Sequence, residues 1–374
     1  MKIAFDAHCI GKNLTGNETY AINLIKSLIA VYPNEDWLVY VSAEGVSQLK
    51  DINKGKVILK ELKSKNPIER YLFELPKLLN SDRPDVLHTQ YHGPIPLVCP
   101  VALTVHDISY ERYPQYFSFL DQLRLKIFVP FFIKQSAQVI TISEFSKKEI
   151  VAKYNVDTKK VSVIYCGIDS DFFNFKEEDS DKNILDSLGV RQPYLLYVGA
   201  LQPRKNVEGA LKAALPLIKK NPLLKIIIVG PKAWKYSGIQ KVIAQESDLK
   251  KAVMFTGFVE KIALRALYRN SLAFVYIPFY EGFGLPVIEA MACGSPVITS
   301  NVTSLPEVAG EAAILVDPQN LNEITTAMDR IVSSAALRDE LRQKGFRRAK
   351  DFSWQKAAKE TFAIYQKAAG LNDA

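Results

Sequence analysis

Apolar residues fall in short unbroken runs separated by longer amphipathic stretches. In the first half the runs are 3–5, 37–41, 57–59, 86–88, 101–105, 139–142 and 161–164. Runs so short and so free of polar alternation predict parallel strands buried on both faces, with helices between them. The pattern then breaks at Phe173-Asn174-Phe175-Lys176-Glu177-Glu178-Asp179-Ser180-Asp181, a polar and acidic segment, and a linker is predicted over 173–187. A second series follows at 194–199, 225–230, 253–255, 272–278, 296–299 and 313–316. The alternation predicts an α/β protein of two doubly wound domains, residues 1–172 and 188–350, with a last helix in 351–374.

Ligands of doubly wound sheets bind beyond the carboxyl ends of the strands. The residues just after each run are therefore the candidates for chemistry. The most specific segment is Glu281-Gly282-Phe283-Gly284-Leu285-Pro286-Val287-Ile288-Glu289. Gly282 and Gly284 permit a tight turn and close approach of backbone to a ligand, and Pro286 suits a helix start, where its missing N–H is no loss. The unpaired N–H groups that open such a helix form a place for an anion such as a diphosphate. Two carboxylates flanking that place accept hydroxyls, as a sugar and a ribose present them. After the run 194–199 come Arg204 and Lys205, a planar fork and a compact ammonium in another strand-to-helix loop. Both suit a diphosphate and would stabilise the charge that grows on it as a glycosidic bond breaks. His106 and Asp107 follow the run 101–105; His106 is a candidate for sugar contact, and Asp107 for loop capping or function.

The segment 281–289 resembles the E-x7-E signature of retaining GT-B glycosyltransferases, in particular glycosyltransferase family 4 and its bacterial group 1 members that use GDP-mannose or a related donor. The resemblance covers nearly the full length and is strongest from 194 to 318. It implies two Rossmann-like domains facing across a cleft, the first on the acceptor side and the second binding the nucleotide sugar, with the last helix crossing back to the first domain. It implies transfer of a hexosyl group, mannosyl favoured, from a nucleoside diphosphate sugar to a hydroxyl of a glycan or lipid-linked acceptor, with retention. The leaving phosphate then takes the acceptor's proton.

Carried over residue by residue, the resemblance gives Arg204 and Lys205 the diphosphate, Glu281 the sugar hydroxyls, Glu289 the ribose and His106 the sugar. The amides of Phe283, Gly284 and Leu285, in the loop that Gly282 begins to turn, face sugar and phosphate. His106, Arg204, Lys205 and Glu281 form the expected catalytic group. Gly16 matches the loop that closes over the diphosphate. Asn17, Glu18 and Thr19 depart from the family's usual further glycine and arginine there, and Glu18 is expected to cap the helix start rather than to receive an acceptor hydroxyl. Phe258 and Val259 mark the expected base pocket, although core packing explains Phe258 equally well. With no Asp-x-Asp in a suitable loop, neither a metal nor a cofactor is expected beyond the donor substrate.

Composition narrows the rest. A net charge of +8, heavier in the second half, fits anionic ligands or an anionic membrane face, and no nucleic-acid motif accompanies it. Cys9, Cys99, Cys166 and Cys293 are scattered and read as ordinary thiols. His88 and His92 lack the acidic partner of a zinc helix. The start of the chain, with Asp6 inside its apolar run, reads as the first strand of a cytoplasmic protein, with peripheral contact at the inner membrane face as an added expectation. The stretch 122–134 mixes bulky apolar and basic residues; Pro130 and its all-round apolar character favour a buried helix over a membrane-surface one. Lys54, Lys56, Lys60 and Lys63 read as a solvated face. A dehydrogenase is disfavoured because no G-x-G-x-x-G follows a strand. A non-catalytic nucleotide-sugar binder, or a phosphorylase or epimerase of the same architecture, remains the alternative.

Overall fold

The computed structural model describes residues 1–12, 16–52, 55–174, 178–231 and 237–371. Two units emerge: Met1–Gly167 with Ser353–Ala374, and Ile168–Phe352.

In the first unit seven strands make one sheet: β1 (Lys2–Ala7), β2 (Asp36–Ser42), β3 (Val57–Leu62), β4 (Val86–Gln90), β5 (Val101–Thr104), β6 (Gln138–Thr141) and β7 (Val161–Val163). Their order is β3-β2-β1-β4-β5-β6-β7, and neighbours run parallel. The strand order reverses between β1 and β4, which makes that edge a switch point, where such sheets take ligands. Val, Ile and Leu on these strands bury both faces, and the core continues through Leu75, Leu79, Val129, Phe132 and Ile133 of the flanking helices. The helix Trp354–Ala368 belongs here. Its Tyr365 hydroxyl lies 2.5 Å from His88 Nδ1, and its Phe362 stacks on Tyr32 with centroids 3.8 Å apart.

The second unit holds β8 (Tyr194–Val198), β9 (Lys225–Val229), β10 (Val253–Gly257), β11 (Ala273–Tyr276), β12 (Val297–Ser300) and β13 (Ala313–Val316), in the order β10-β9-β8-β11-β12-β13 and all parallel. Leu195 of β8 registers with Ile226 of β9 on one side and Ala273 of β11 on the other. The order reverses between β8 and β11, so the loops leaving these two strands flank the switch point.

Two expectations are corrected. The segment 173–187 is not a linker between the units: the chain divides at Gly167, and residues Asp179–Ser187 form a helix of the second unit. Asp181 of that helix is buried and accepts from Arg269 at 2.9 Å and 2.5 Å, and Glu178 lies 3.4 Å from the same guanidinium. Acidity that looks like solvated linker in one dimension is the counter-charge of a buried arginine in three. Phe175, Lys176 and Glu177 lie outside the described residues.

The second correction concerns the helix Phe119–Gln135, which is not buried all round. Val129, Phe132 and Ile133 enter the core, while Phe119, Leu123, Ile127 and Phe131, spaced four apart, line an exposed stripe with Leu120 and Phe128 beside it. Pro130 is accommodated within this helix. No helix among the described residues is long and apolar enough to cross a membrane.

Candidate active site

The loop after β8 carries Pro203–Lys205 as one turn of 3₁₀ helix. It ends at Asn206, whose left-handed backbone (φ 55°) reverses the chain while its side chain caps the next helix by accepting from Gly209 N–H at 3.2 Å. The Asn206 amide also donates to Pro318 O at 2.8 Å. Arg204 and Lys205 are thereby fixed at the carboxyl end of β8.

The loop after β11 reaches the same place. Phe279 N–H donates to Arg204 O at 2.9 Å, and the Arg204 guanidinium donates to Tyr280 O at 3.1 Å, so the two loops are bonded to each other on both sides. Between them Lys205 Nζ and Glu281 Oε2 form an ion pair, and Arg204 lies 3.6 Å from the same oxygen. Tyr276, the last residue of β11, joins them: its hydroxyl accepts from Lys205 Nζ at 2.6 Å and donates to Glu281 Oε2 at 2.8 Å. Lys205 Nζ also lies 5.2 Å from the centre of the Tyr276 ring. Burial alone would raise the Glu281 carboxyl; the Lys205 and Arg204 charges with the Lys205 and Tyr276 hydrogen bonds outweigh it and hold the group below the ordinary carboxylate value. Glu281 is therefore an anion between two cations.

Past Glu281 the chain enters the helix Leu285–Ala292 through Gly284, the N-cap residue, at φ 102°. A Cβ there would stand 2.7 Å from Leu305 Cδ2, so both conformation and space demand glycine. Pro286 falls in the first turn. Ser304 braces the loop, its hydroxyl within 2.9 Å of Glu281 O and 3.2 Å of Phe283 O. Phe283 is buried edge-to-face against Phe352, centroids 5.6 Å apart, so its side chain is an anchor for the loop. Glu289 sits on the helix with Tyr268 donating to Oε2 at 3.3 Å. Burial pushes its carboxyl up to about 7, only partly opposed by that bond and the Lys261 charge. The two carboxylates of the motif thus differ: one is firmly ionised, the other poised near neutrality.

The remaining candidates stand elsewhere. Phe258 is 84 % exposed at the end of β10, which removes the core-packing explanation, and Val259 is half-buried beside it. In the first unit His106 is buried, its Nε2 is 2.7 Å from Gln90 Oε1, and Tyr20 packs edge-on at 4.6 Å. Burial depresses its imidazole to about 3, so it is neutral. Asp107 caps the loop, accepting from Ser109 N–H at 2.8 Å. Gly16 opens the helix Gly16–Val31, and a Cβ there would meet nothing within 4 Å. Glu18, in the first turn of that helix, accepts from Gly11 N–H at 2.8 Å and so ties the loop after β1 to the helix. Asn13, Leu14 and Thr15 of that loop lie outside the described residues, as does Lys54. His88 is bonded to Tyr365 and, at 2.8 Å, to Thr104. No group of three potential metal ligands occurs among the described residues. The four cysteines are free thiols.

Sequence reasoning missed Tyr276 and Ser304. Tyr276 had a legible signal, a hydroxyl-bearing residue at the carboxyl end of an apolar strand, five positions before the motif's first carboxylate. Ser304 had none, because its partners are backbone carbonyls more than twenty residues away.

Comparison with known proteins bears on this arrangement. The family model described as glycosyl transferases group 1 matches residues 179–348, and that of glycosyltransferase family 4 matches residues 15–172. The chain is 28 % identical to O-antigen chain mannosyltransferase B of Escherichia coli, over 98 % of this chain and 100 % of that one. It is 33 % identical to O-antigen chain mannosyltransferase RfbU of Salmonella typhimurium, over 64 % of this chain and 63 % of that one. Among solved structures, a glycosyltransferase from Rickettsia africae superposes with TM-score 0.76 at 18 % identity, covering 100 % of this chain and 99 % of that one. HepE of Anabaena, in complex with UDP-glucose, superposes with TM-score 0.76 at 18 % identity, covering 97 % of this chain and 100 % of that one. Two parallel Rossmann-like sheets with GT-B relatives, and a family match to each half, place the chain among the group 1, family 4 glycosyltransferases.

Proposed function

We propose that this glycosyltransferase transfers a mannosyl group from GDP-mannose, with retention and without a metal, to a hydroxyl of a glycan or lipid-linked acceptor. The observation that carries the reading is the convergence of Arg204, Lys205 and Glu281 at the switch point between β8 and β11. A diphosphate there meets two cations already gathered, so no large rearrangement is needed to bind it. Lys205 and Arg204 hold the diphosphate and stabilise the charge left on it as the bond to the sugar breaks. That phosphate oxygen in turn accepts the proton of the attacking hydroxyl.

Glu281, ionised beside the cations, accepts hydroxyls of the donor sugar and keeps the ammonium of Lys205 in place. Glu289 accepts from the ribose. The amides of Phe283, Gly284 and Leu285 face sugar and phosphate at the helix start. Gly16 and His106 are assigned by the resemblance, His106 as a neutral hydrogen-bonding group toward the sugar, since its burial excludes a proton-donating imidazolium at neutral pH. Phe258 and Val259 belong to the base pocket, a role favoured for Phe258 by its exposure. The mannosyl preference is supported by the O-antigen mannosyltransferases to which the chain is similar. The site is cytoplasmic in this reading, with peripheral contact at the inner membrane face supported by the exposed apolar stripe of Phe119–Gln135.

A panel of nucleoside diphosphates and their sugars, read by thermal midpoint, tests the donor. Binding to the folded state alone stabilises it by about 2.7 kcal/mol at a ligand concentration a hundredfold above Kd. A rise confined to GDP and GDP-mannose supports the reading, and a rise confined to another base replaces the donor.

A further inference from the structure

A second candidate site lies in the first unit, at the carboxyl ends of three neighbouring strands. A cavity of about 270 Å³ is lined by His8 and Lys12 after β1, Glu44 after β2, and Lys63 and Lys65 after β3, with Arg70 completing the wall. That volume is several times the ~30 Å³ share of one water molecule. It lies beside the β1/β4 switch point and involves none of the donor residues.

Its charges are only partly answered within the fold, Arg70 by the buried Asp6, and Lys65 and Lys12 by Glu44. Asp6, at the end of β1, is buried and already accepts from His8 Nδ1 at 2.9 Å, His8 N–H at 3.2 Å, Tyr71 at 3.3 Å and Thr89 at 3.4 Å. None of these donors is Arg70, whose charge nonetheless helps to keep Asp6 ionised against its burial. The Arg70 side chain is itself 4 % exposed, lies over the Tyr71 ring at 4.9 Å, and its Nε has no hydrogen-bond partner among the described residues. Burying a guanidinium with an orphan donor is costly unless a ligand completes it. The four cations Lys12, Lys63, Lys65 and Arg70 line it with the carboxylates Glu44 and Glu61, and the ionised Asp6 behind the wall leaves one cation in excess. A cation in excess beside a pair of hydroxyl acceptors fits an anionic group attached to a sugar, and the fork of Arg70 with the ammonium groups of Lys63 and Lys65 suits the several acceptor oxygens of a phosphate.

We propose that this cavity binds a phosphate-bearing sugar as part of the acceptor, with Arg70 and His8 meeting the phosphate at the wall, Lys12, Lys63 and Lys65 closing over it, and Glu44 and Glu61 taking sugar hydroxyls. This rests on the glycosyltransferase reading above and names its acceptor class. The same helical stretch that delivers Arg70 exposes Ile68, Leu72 and Phe73, so the phosphosugar can be free or carried on a lipid.

Titration calorimetry on the full chain tests the proposal with inorganic phosphate, mannose 6-phosphate, mannose, and anionic vesicles with and without a polyprenyl diphosphate sugar. The expected result is binding of mannose 6-phosphate but not mannose, weakened at least tenfold in the double variant Lys63→Ala/Lys65→Ala and further by Arg70→Gln, with GDP affinity unchanged. Lys63 and Lys65 are exposed, so their variant folds even where Arg70→Gln does not. Binding of mannose 6-phosphate identifies a free phosphate ligand; binding only to vesicles that carry the diphosphate sugar, lost in the lysine variant, identifies a lipid headgroup, and both support the site. If no phosphate compound binds in either form, or the lysine variant binds as well as the wild type, while GDP still binds, the proposal is overturned. Loss of GDP binding in the wild type would count against the donor reading instead.

Discussion

Lys205 Nζ and Glu281 Oε2 form an ion pair at the carboxyl edge of the second sheet, and one phenol, that of Tyr276, is hydrogen-bonded to both. Each side chain is mostly withdrawn from water, so removing either strands the other. Glu281→Ala leaves Lys205 and Arg204 facing each other without a counter-charge, at a stability loss of about 3 kcal/mol. Lys205→Ala is milder in stability because Arg204 remains 3.6 Å from the carboxylate. Turnover falls at least about a hundredfold in both, equivalent to ~2.7 kcal/mol of transition-state stabilisation. Chemical denaturation and donor turnover on the two variants check this; wild-type turnover in a folded variant removes the pair from the mechanism.

Tyr276→Phe keeps the ring, its stacking at 5.7 Å on Phe274 and its place under Lys205, and deletes only the hydroxyl. The ammonium and carboxylate then lose the group that sets their geometry while keeping each other. A loss of about tenfold in turnover, ~1.4 kcal/mol, with a thermal midpoint within a few degrees of wild type, is the expected outcome. A variant as active as wild type would make the phenol a packing residue only.

Gly284→Ala tests the loop rather than the charges. The backbone at φ 102° and the 2.7 Å approach to Leu305 leave no relaxed place for a methyl group. Strain of this kind is worth about 1–3 kcal/mol, and relieving it tilts the helix start whose amides are proposed to face the phosphate. A lower midpoint with a weaker GDP-induced rise is expected. A lower midpoint with the full rise would confine Gly284 to the fold.

How much of this was legible in the chain follows from the range of the forces involved. The strands were readable because burial on both faces leaves a local signature, and the E-x7-E loop was readable because Gly284 and Pro286 have backbone requirements of their own. The helix Asp179–Ser187 was not, since its acidity is explained only by Arg269, eighty-eight positions from Asp181. Nor was the exposed stripe of Phe119–Gln135: periodicity shows that two faces differ in the residues they bury only after the neighbours are known. The bond from Gly11 N–H to Glu18 was not legible either, because it joins a loop to a helix across a turn whose course the sequence does not give.

With the ribose on Glu289 as proposed, a carboxyl raised to about 7 by burial should make donor binding depend on pH. Ribose hydroxyls bind the ionised form, so below neutrality a proton must be displaced first and affinity weakens, by at most about tenfold per pH unit. GDP should therefore bind more tightly at pH 8 than at pH 6, and Glu289→Gln should bind weakly and flatten the profile. The fold responds with the opposite slope. Because the folded value lies above the ordinary carboxylate value of 4.5, the unfolded chain sheds this proton first, and the group's destabilising effect grows as pH rises from about 4.5 to about 7 and is constant above that. Glu289→Gln should thus gain in thermal midpoint relative to wild type over that window. Calorimetric titration and thermal scans at matched pH separate the two slopes; a wild-type GDP affinity that does not change with pH would place the ribose elsewhere.

The stripe on the helix Phe119–Gln135 makes a prediction that stability cannot mimic. Phe119 and Leu120 are 76 % and 75 % exposed, and Ile127 and Phe131 continue the same side. Replacing them takes nothing out of the core, so Leu120→Glu/Ile127→Glu should fold with an unchanged midpoint. Arg124 and Lys126 lie on the same helix, so a lipid surface would be met by apolar side chains and cations together, each cation worth ~1 kcal/mol at an anionic surface. Wild-type protein should sediment with anionic vesicles, less with zwitterionic ones and less again at high salt, because the cation contribution is screened within a Debye length of about 8 Å at physiological ionic strength. The double variant should lose at least tenfold in vesicle partitioning, since two apolar anchors are lost and two anions repel the lipid. If instead the wild type leaves vesicles of both kinds untouched but forms dimers that the double variant does not, the stripe is covered by a second copy of the chain and the membrane assignment falls.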